Sequence, residues 1–314
     1  MRSQVNLGAL QPLNPVDRIT NRWKNDPVRR NTHFQKFNLG AATYDAHYAR
    51  GYSQEYLAYL EPLVRKAAER GVELLLLPEF VFMAGVLAAP GEGVKANPRA
   101  FADALNLYAW SEKLFLRHMA DVARKSKMFI AFSIPSARNG KLYNSGVILD
   151  RRGRVAGRYD KIHLAPGPEA THFTAGTRYS IIETVFGRVS FCICYDLFFP
   201  EAVACCAALG TRIILHPSNG YTFPDESPGM GQRRLQVRAS DHCCAVVYSS
   251  FARGRRGSPG ESAVIGPNGD VLAMVPADRQ GLAHGTARFG ANSSRRLQLR
   301  GARRPETYGT LIKE

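Results

Sequence analysis

The 314-residue chain contains no run of the roughly 18–20 consecutive apolar residues that a membrane-crossing helix requires. Its N-terminus lacks the apolar core of a secretory signal, and Asp17 and Asp26 interrupt the acid-poor pattern of a transit peptide. A membrane partner is therefore set aside and a cytoplasmic protein expected. Cysteine is sparse and unevenly placed. Cys192, Cys194, Cys205, Cys206, Cys243 and Cys244 all lie in the second half, none in Cys-x-x-Cys spacing. That pattern speaks against a secreted disulfide framework, and five of the six read as buried core thiols. No metal site and no organic cofactor are expected.

Acidic residues are also scarce: 26 Asp and Glu against 42 Lys and Arg, a formal charge of +16. Such an excess can mark a nucleic-acid partner. Here the basic residues come as scattered pairs, such as Arg151-Arg152, Arg233-Arg234 and Arg295-Arg296, with no block of like charge. A basic nucleic-acid-binding protein is kept as the alternative of a different class. It would lose its ligand steeply as salt rises.

Hydrophobic residues make up 45 %, enough for a sizeable core. Residues 1–36 are polar and basic, with Pro12, Pro15 and Pro27 and little periodicity. They are expected to form an irregular N-terminal extension to a domain spanning 37–314. From there short apolar runs alternate with amphipathic segments. Strands are expected at 38–43, 72–77, 128–134, 145–149, 155–163, 181–185, 188–192, 212–215, 245–249, 262–265 and 271–275. Helices are expected at 53–70, 109–127, 200–209 and 233–241. Asn139-Gly140 and Pro267-Asn268-Gly269-Asp270 read as hairpin turns. The order predicts an α/β protein, a mixed sheet layered with helices and no internal repeat.

Three residues carry chemistry by position. Cys194 falls at a strand-to-helix turn, where nearby helix amides would lower a thiol pKa and stabilise an oxyanion. Glu79 follows an apolar strand directly, and functional groups gather at the carboxyl ends of strands in α/β folds. Lys161 stands late in a strand between apolar residues, either snorkelling or held in a polar pocket. Together they can act as a set. The Glu takes the thiol proton and passes it to a leaving nitrogen. The Lys favours thiolate and oxyanion, and the sulfur forms a covalent acyl intermediate.

The segment Cys192-Ile193-Cys194-Tyr195-Asp196-Leu197-Phe198-Phe199-Pro200-Glu201 resembles the nucleophile segment of the nitrilase, or carbon–nitrogen hydrolase, superfamily. Leu75-Leu76-Leu77-Pro78-Glu79-Phe80 resembles that family's general-base segment, and Tyr159-Asp160-Lys161-Ile162-His163-Leu164 its catalytic-lysine segment. The three occur in family order, and the resemblance covers about residues 37–310. It implies a four-layer αββα sandwich with mixed β-sheets, and a homodimer or higher homo-oligomer. It also implies a second glutamate, best matched by Glu169, that positions Lys161 or the substrate amide. The backbone N–H of Tyr195 would join Lys161 in the oxyanion hole.

True members that act on nitriles typically carry Trp-Glu after the nucleophile, where this chain has Tyr195-Asp196. The departure points to an amidase that cleaves a linear, non-peptide amide through a Cys thioester. N-carbamoyl hydrolysis of a ureido substrate stays open, with a nitrilase behind it. A further rival is a Cys-His hydrolase using His163, His172 or His216 as base. Phe80, Phe82, Tyr195, Phe198, Phe199 and Tyr221 are candidates for lining the acyl pocket, each also able simply to pack in the core.

Overall fold

The computed structural model describes residues 2–13, 25–26, 28, 46–82, 98–220, 225–253, 258–290 and 293–312. The strand expected at 38–43 lies outside these residues. Two six-stranded sheets face each other. The first contains β1 (Gln4–Gln11), β2 (Leu74–Leu76), β3 (Phe129–Arg138), β4 (Lys141–Leu149), β5 (Val155–Asp160) and β12 (Gly281–Arg288). Its order is β12-β1-β2-β3-β4-β5. The second contains β6 (Ile182–Thr184), β7 (Gly187–Phe191), β8 (Ile213–Pro217), β9 (Ala245–Ser249), β10 (Ala263–Ile265) and β11 (Val271–Met274), in the order β11-β10-β9-β8-β7-β6. Followed from β12 and from β6, both sheets pair antiparallel, parallel, parallel, antiparallel, antiparallel. The two halves thus share one topology although the sequence carries no repeat.

The period-2 alternation of the strands builds the layers. Val5, Leu7, Ala9, Leu74, Leu76, Phe129 and Ala131 point inward and meet Val189, Phe191, Ile213, Leu215, Ala245 and Val247 of the opposite sheet. Residues of the other parity point outward. Leu75, Leu77, Ile130, Phe132 and Val147 are covered by α1 (Ala46–Glu69) and α2 (Pro98–Ser126). Cys192, Ile214, Val246 and Ile265 are covered by α4 (Pro200–Ala208) and α5 (Met230–His242). The helices present their apolar stripes at helical spacing: Tyr56, Leu57, Leu60, Val64 and Ala67 on α1, Phe115, Met119, Val122 and Ala123 on α2. Phe115 stacks on Phe82 at 5.0 Å and meets Phe132 edge-on at 4.8 Å. Each such fully buried side chain stabilises the fold by about 1.5–3 kcal/mol. The result is the expected αββα sandwich. At Gly146 on β4 the sheets approach so closely that a Cβ would lie 2.7 Å from the Phe191 ring.

Most expected elements appear with shifted ends, and Asn139-Gly140 turns the β3–β4 hairpin with both residues at positive φ, as a tight primed turn requires. Residues 4–11 depart from the expectation. Gln4–Gln11 is no irregular extension but an interior strand, parallel to β2 and antiparallel to β12. The physical reason is visible in its alternation, Val5, Leu7 and Ala9 facing the inter-sheet core. Gln11 then anchors the strand's end. Its side chain donates to Pro276 O at 2.8 Å and Arg279 O at 2.6 Å, and accepts from Ser262 N at 2.8 Å. β12 and the C-terminal α6 (Ser293–Gly301) were likewise not expected. All six cysteines are free, but Cys205 is exposed rather than buried.

Removing residues 2–12 should therefore abolish folding, since it opens a sheet in its interior and exposes the inter-sheet core. Circular dichroism and urea unfolding check this. A truncated chain with the full-length cooperative transition would contradict it.

Candidate active site

Loops from both sheets meet at the carboxyl ends of β2 and β8. Glu79 follows β2 and is almost fully buried. Its Oε2 accepts a hydrogen bond from the backbone N–H of Asn219, just past β8, at 2.9 Å. That bond ties the two sheets together at the site. Lys161 follows β5 and its side chain has no solvent exposure. Its Nζ donates to Glu79 Oε1 at 2.9 Å and to both oxygens of Glu169, at 3.0 and 2.8 Å. Lys161 is thus held in a polar pocket and does not snorkel. Glu169 sits in the first turn of α3 (Pro168–His172) and also accepts from Ala165 N at 2.8 Å.

Asn144, on β4, completes the group. Its Nδ2 donates to Glu79 Oε1 at 2.8 Å and to Glu169 Oε1 at 2.7 Å, while its Oδ1 accepts from Ser133 Oγ at 2.6 Å. Two buried carboxylates around one ammonium leave a net charge of about −1 in low dielectric. Such a group holds only while every charge is paired and hydrogen-bonded. Burial works against the Lys161 ammonium, but the carboxylate of Glu79, the Cys194 sulfur and Glu169 more than reverse this, so its pKa is raised. Burial also raises the Glu169 pKa, with Lys161 opposing.

Cys194 opens a 3-10 turn, Cys194–Phe198, directly after β7. Its φ of 44° is left-handed, a conformation that side-chain-bearing residues adopt only where surroundings impose it. Asp196 imposes it. Fully buried, it accepts from Ile193 N at 2.8 Å, Tyr159 OH at 2.8 Å, and His163 N and Nδ1 at 2.9 and 2.8 Å. Both carboxylate oxygens are occupied by these donors. Asp196 therefore braces the turn that carries Cys194, and its carboxylate is spent on these internal contacts.

The thiol does not match its expected acidity. Burial, and next the Glu79 carboxylate, push the Cys194 pKa up to about 12, while Lys161 and a hydrogen bond with Ser218 pull the other way. The local turn amides were expected to lower it. The tertiary carboxylates and loss of water outweigh them. Cys194 accordingly rests as a thiol.

A cavity of about 70 Å³ opens beside Cys194, walled by Phe198, His216, Ser218, Gln232, Tyr248 and Glu261 among others. Of the aromatic candidates only Phe198 lines it. Phe82 is core, Phe80 packs on Phe173 at 5.5 Å, Phe199 stacks on His163 at 4.0 Å, and Tyr195 packs on Phe198 and Phe199. Tyr221 lies outside the described residues. The three histidines separate as well. His163 is tied to Asp196 and His172 is buried on α3. His216 lines the cavity, donates Nδ1–H to Cys192 O at 2.7 Å, and is pushed down to a pKa of about 4 by burial. A base that weak holds a thiol proton poorly. Among the described residues no His, Cys, Asp and Glu side chains are grouped to hold a metal ion, and no helix is long and apolar enough to cross a membrane.

Sequence reasoning thus found Glu79, Lys161, Glu169 and Cys194, which the structure brings together. It missed Asn144, Ser218 and the bracing role of Asp196. An Asn inside a buried strand is a visible anomaly that could have pointed to the first.

The layering and this grouping define the class of nitrilase-type sandwich hydrolases. The chain belongs to the carbon–nitrogen hydrolase family, whose profile matches residues 41–290. It is 29 % identical over 280 residues to the deaminated glutathione amidase of Mus musculus, covering 82 % of this chain and 81 % of that one. It is 29 % identical over 227 residues to the omega-amidase of Homo sapiens (68 % and 75 %), and 28 % over 217 residues to a Pyrococcus abyssi nitrilase (68 % and 76 %). In fold it resembles an amidase from Nesterenkonia sp., TM-score 0.70 at 20 % identity over 99 % of this chain and 98 % of that one. It likewise resembles a carbon–nitrogen hydrolase from Helicobacter pylori, TM-score 0.73 at 18 % identity over 99 % of each chain.

Lys161→Met should cost about 3–5 kcal/mol of stability, because it strands two buried carboxylates. Urea unfolding measures it, and a loss below about 1 kcal/mol would contradict the paired-charge reading.

Proposed function

We propose that the protein hydrolyses the C–N bond of a linear, non-peptide amide through a thioester on Cys194, releasing ammonia and a carboxylate. The observation that carries this reading is the hydrogen-bonded Glu79–Lys161–Glu169 group facing a buried thiol on a strained turn. As Cys194 Sγ attacks the carbonyl carbon, Glu79 takes the thiol proton. The carbonyl oxygen becomes an oxyanion, held by the Lys161 ammonium and the Tyr195 backbone N–H. Glu79 then gives its proton to the leaving nitrogen, ammonia departs, and the thioester remains. Water enters and loses a proton to Glu79 as its oxygen attacks the thioester carbon. Collapse of the second tetrahedral species expels the sulfur, which recovers the proton from Glu79.

Each transfer keeps the net charge of the buried group constant. The site begins with a thiol, two carboxylates and an ammonium. The oxyanion appears only as Glu79 is neutralised, so no extra charge enters a low-dielectric pocket. A thiol pKa near 12 suits this order, since proton transfer coupled to attack needs no free thiolate at rest. Glu169 acts through Lys161, holding its ammonium in place as a positioning residue. The amidase names among the family relatives support the amide over the nitrile. In a Glu→Gln mutant of the Nesterenkonia amidase the acetamide moiety of fluoroacetamide is added covalently at the active-site cysteine.

Ammonia release from a panel of short primary amides tests the proposal. Cys194→Ala should eliminate turnover with the fold intact, and Glu79→Gln should lower kcat by at least about 10²-fold. Full activity in Glu79→Gln would reassign the base to a histidine such as His216 and contradict this mechanism.

A further inference from the structure

Two groups in the wall of the cavity beside Cys194 are unexplained by the bond-breaking chemistry. Glu261 lines the cavity at φ 59°, left-handed backbone for a residue with a side chain, immediately before β10. Its backbone carbonyl accepts from Gln232 Nε2 at 2.8 Å. Among the described residues no hydrogen bond or ion pair engages its carboxylate. Strain of this kind is retained where surroundings or function impose it.

Gln232 is the second. Its amide nitrogen must face the Glu261 carbonyl, because the flipped orientation would set two acceptors against each other. That orientation leaves Gln232 Oε1 buried with no donor among the described residues. Among the described residues the cavity wall therefore offers two open acceptors. The neighbouring cation is already engaged: Arg234 pairs with Glu226, and its guanidinium stacks over the Phe198 ring at 4.2 Å. Among the described residues, Glu226, Glu261 and Arg234 together leave the wall with one surplus negative charge. Tyr248 stands in the same wall, which Cys194 and Glu261 both line.

We propose that Glu261 and Gln232 select amides whose acyl chain ends in a cationic nitrogen, an ammonium or guanidinium, which donates N–H to the Glu261 carboxylate and to Gln232 Oε1. The inference rests on the reading of Cys194 as the nucleophile of an amidase, and it names the substrate class of that site. A cation-bearing chain fills both open acceptors and neutralises the wall. A carboxylate-bearing chain would face Glu261 and find Arg234 already paired.

The test uses three probes that share a four-carbon skeleton: γ-aminobutyramide, butyramide and succinamate. Ammonia release by the full-length protein should give kcat/KM in that descending order, the amino amide leading succinamate by at least about tenfold, or 1.4 kcal/mol. Glu261→Gln should shrink that ratio and Glu261→Lys invert it. A wild-type preference for succinamate overturns the proposal, as does a ratio unmoved by both substitutions. Calorimetric binding of the same probes to Cys194→Ala separates the two readings. Tighter binding of γ-aminobutyramide with no turnover by the wild type would overturn the amidase reading while supporting this one. Equal or weaker binding than succinamate overturns this one.

Discussion

The Lys161 ammonium between the Glu79 and Glu169 carboxylates is the constraint on which the rest of the site depends. Each of the three groups lies in a different loop: one after β2, one after β5, one in the short α3. None could stay ionised in the interior alone. Pairing them fixes the loops relative to one another, and the Asn219 N–H to Glu79 bond extends that fixing across to the second sheet. The same charges set the state of the sulfur. With the Glu79 carboxylate beside it and burial disfavouring the thiolate, Cys194 holds its proton. In the proposed mechanism a thiol that alone would be inert core gives up its proton to Glu79 only as a substrate carbonyl accepts the electron pair.

The fold was legible where one element type buries its residues on both faces. The apolar runs at 72–77, 128–134 and 245–249 correspond to β2, β3 and β9 because parallel strands covered by helices must be apolar throughout. β1 was not legible. Its Gln4, Asn6 and Gly8 interrupt the apolar run, and prolines follow closely, so its period-2 alternation passed for an irregular tail. Its partner β12 is half-exposed and weakly patterned, and tertiary pairing decides both.

At the site the difference is one of distance in the chain. Glu79, Lys161 and Cys194 stood out because each sits in a local motif, and Glu169 followed only from the family resemblance. Asn144 bridges two carboxylates supplied by other segments, and Asp196 collects donors from Tyr159, Ile193 and His163. Neither set of partners can be read from neighbouring residues. The thiol acidity failed for the same reason, since local amides argued for a lower pKa and carboxylates brought in by the fold raise it. Charge behaves likewise. The chain carries +16, yet among the described residues the buried group around Lys161 and the cavity wall near Glu261 are each net negative. The global balance therefore describes the surface and not what the pocket accepts.

The central claim is that Cys194 carries the acyl group during turnover. Rapid acid quench of the protein with a short primary amide, followed by peptide mass spectrometry, tests it most directly. The account predicts a mass increase equal to the acyl group on the peptide containing Cys194, absent in Cys194→Ala. Steady ammonia release with no adduct at Cys194, or an adduct on another residue, would contradict it.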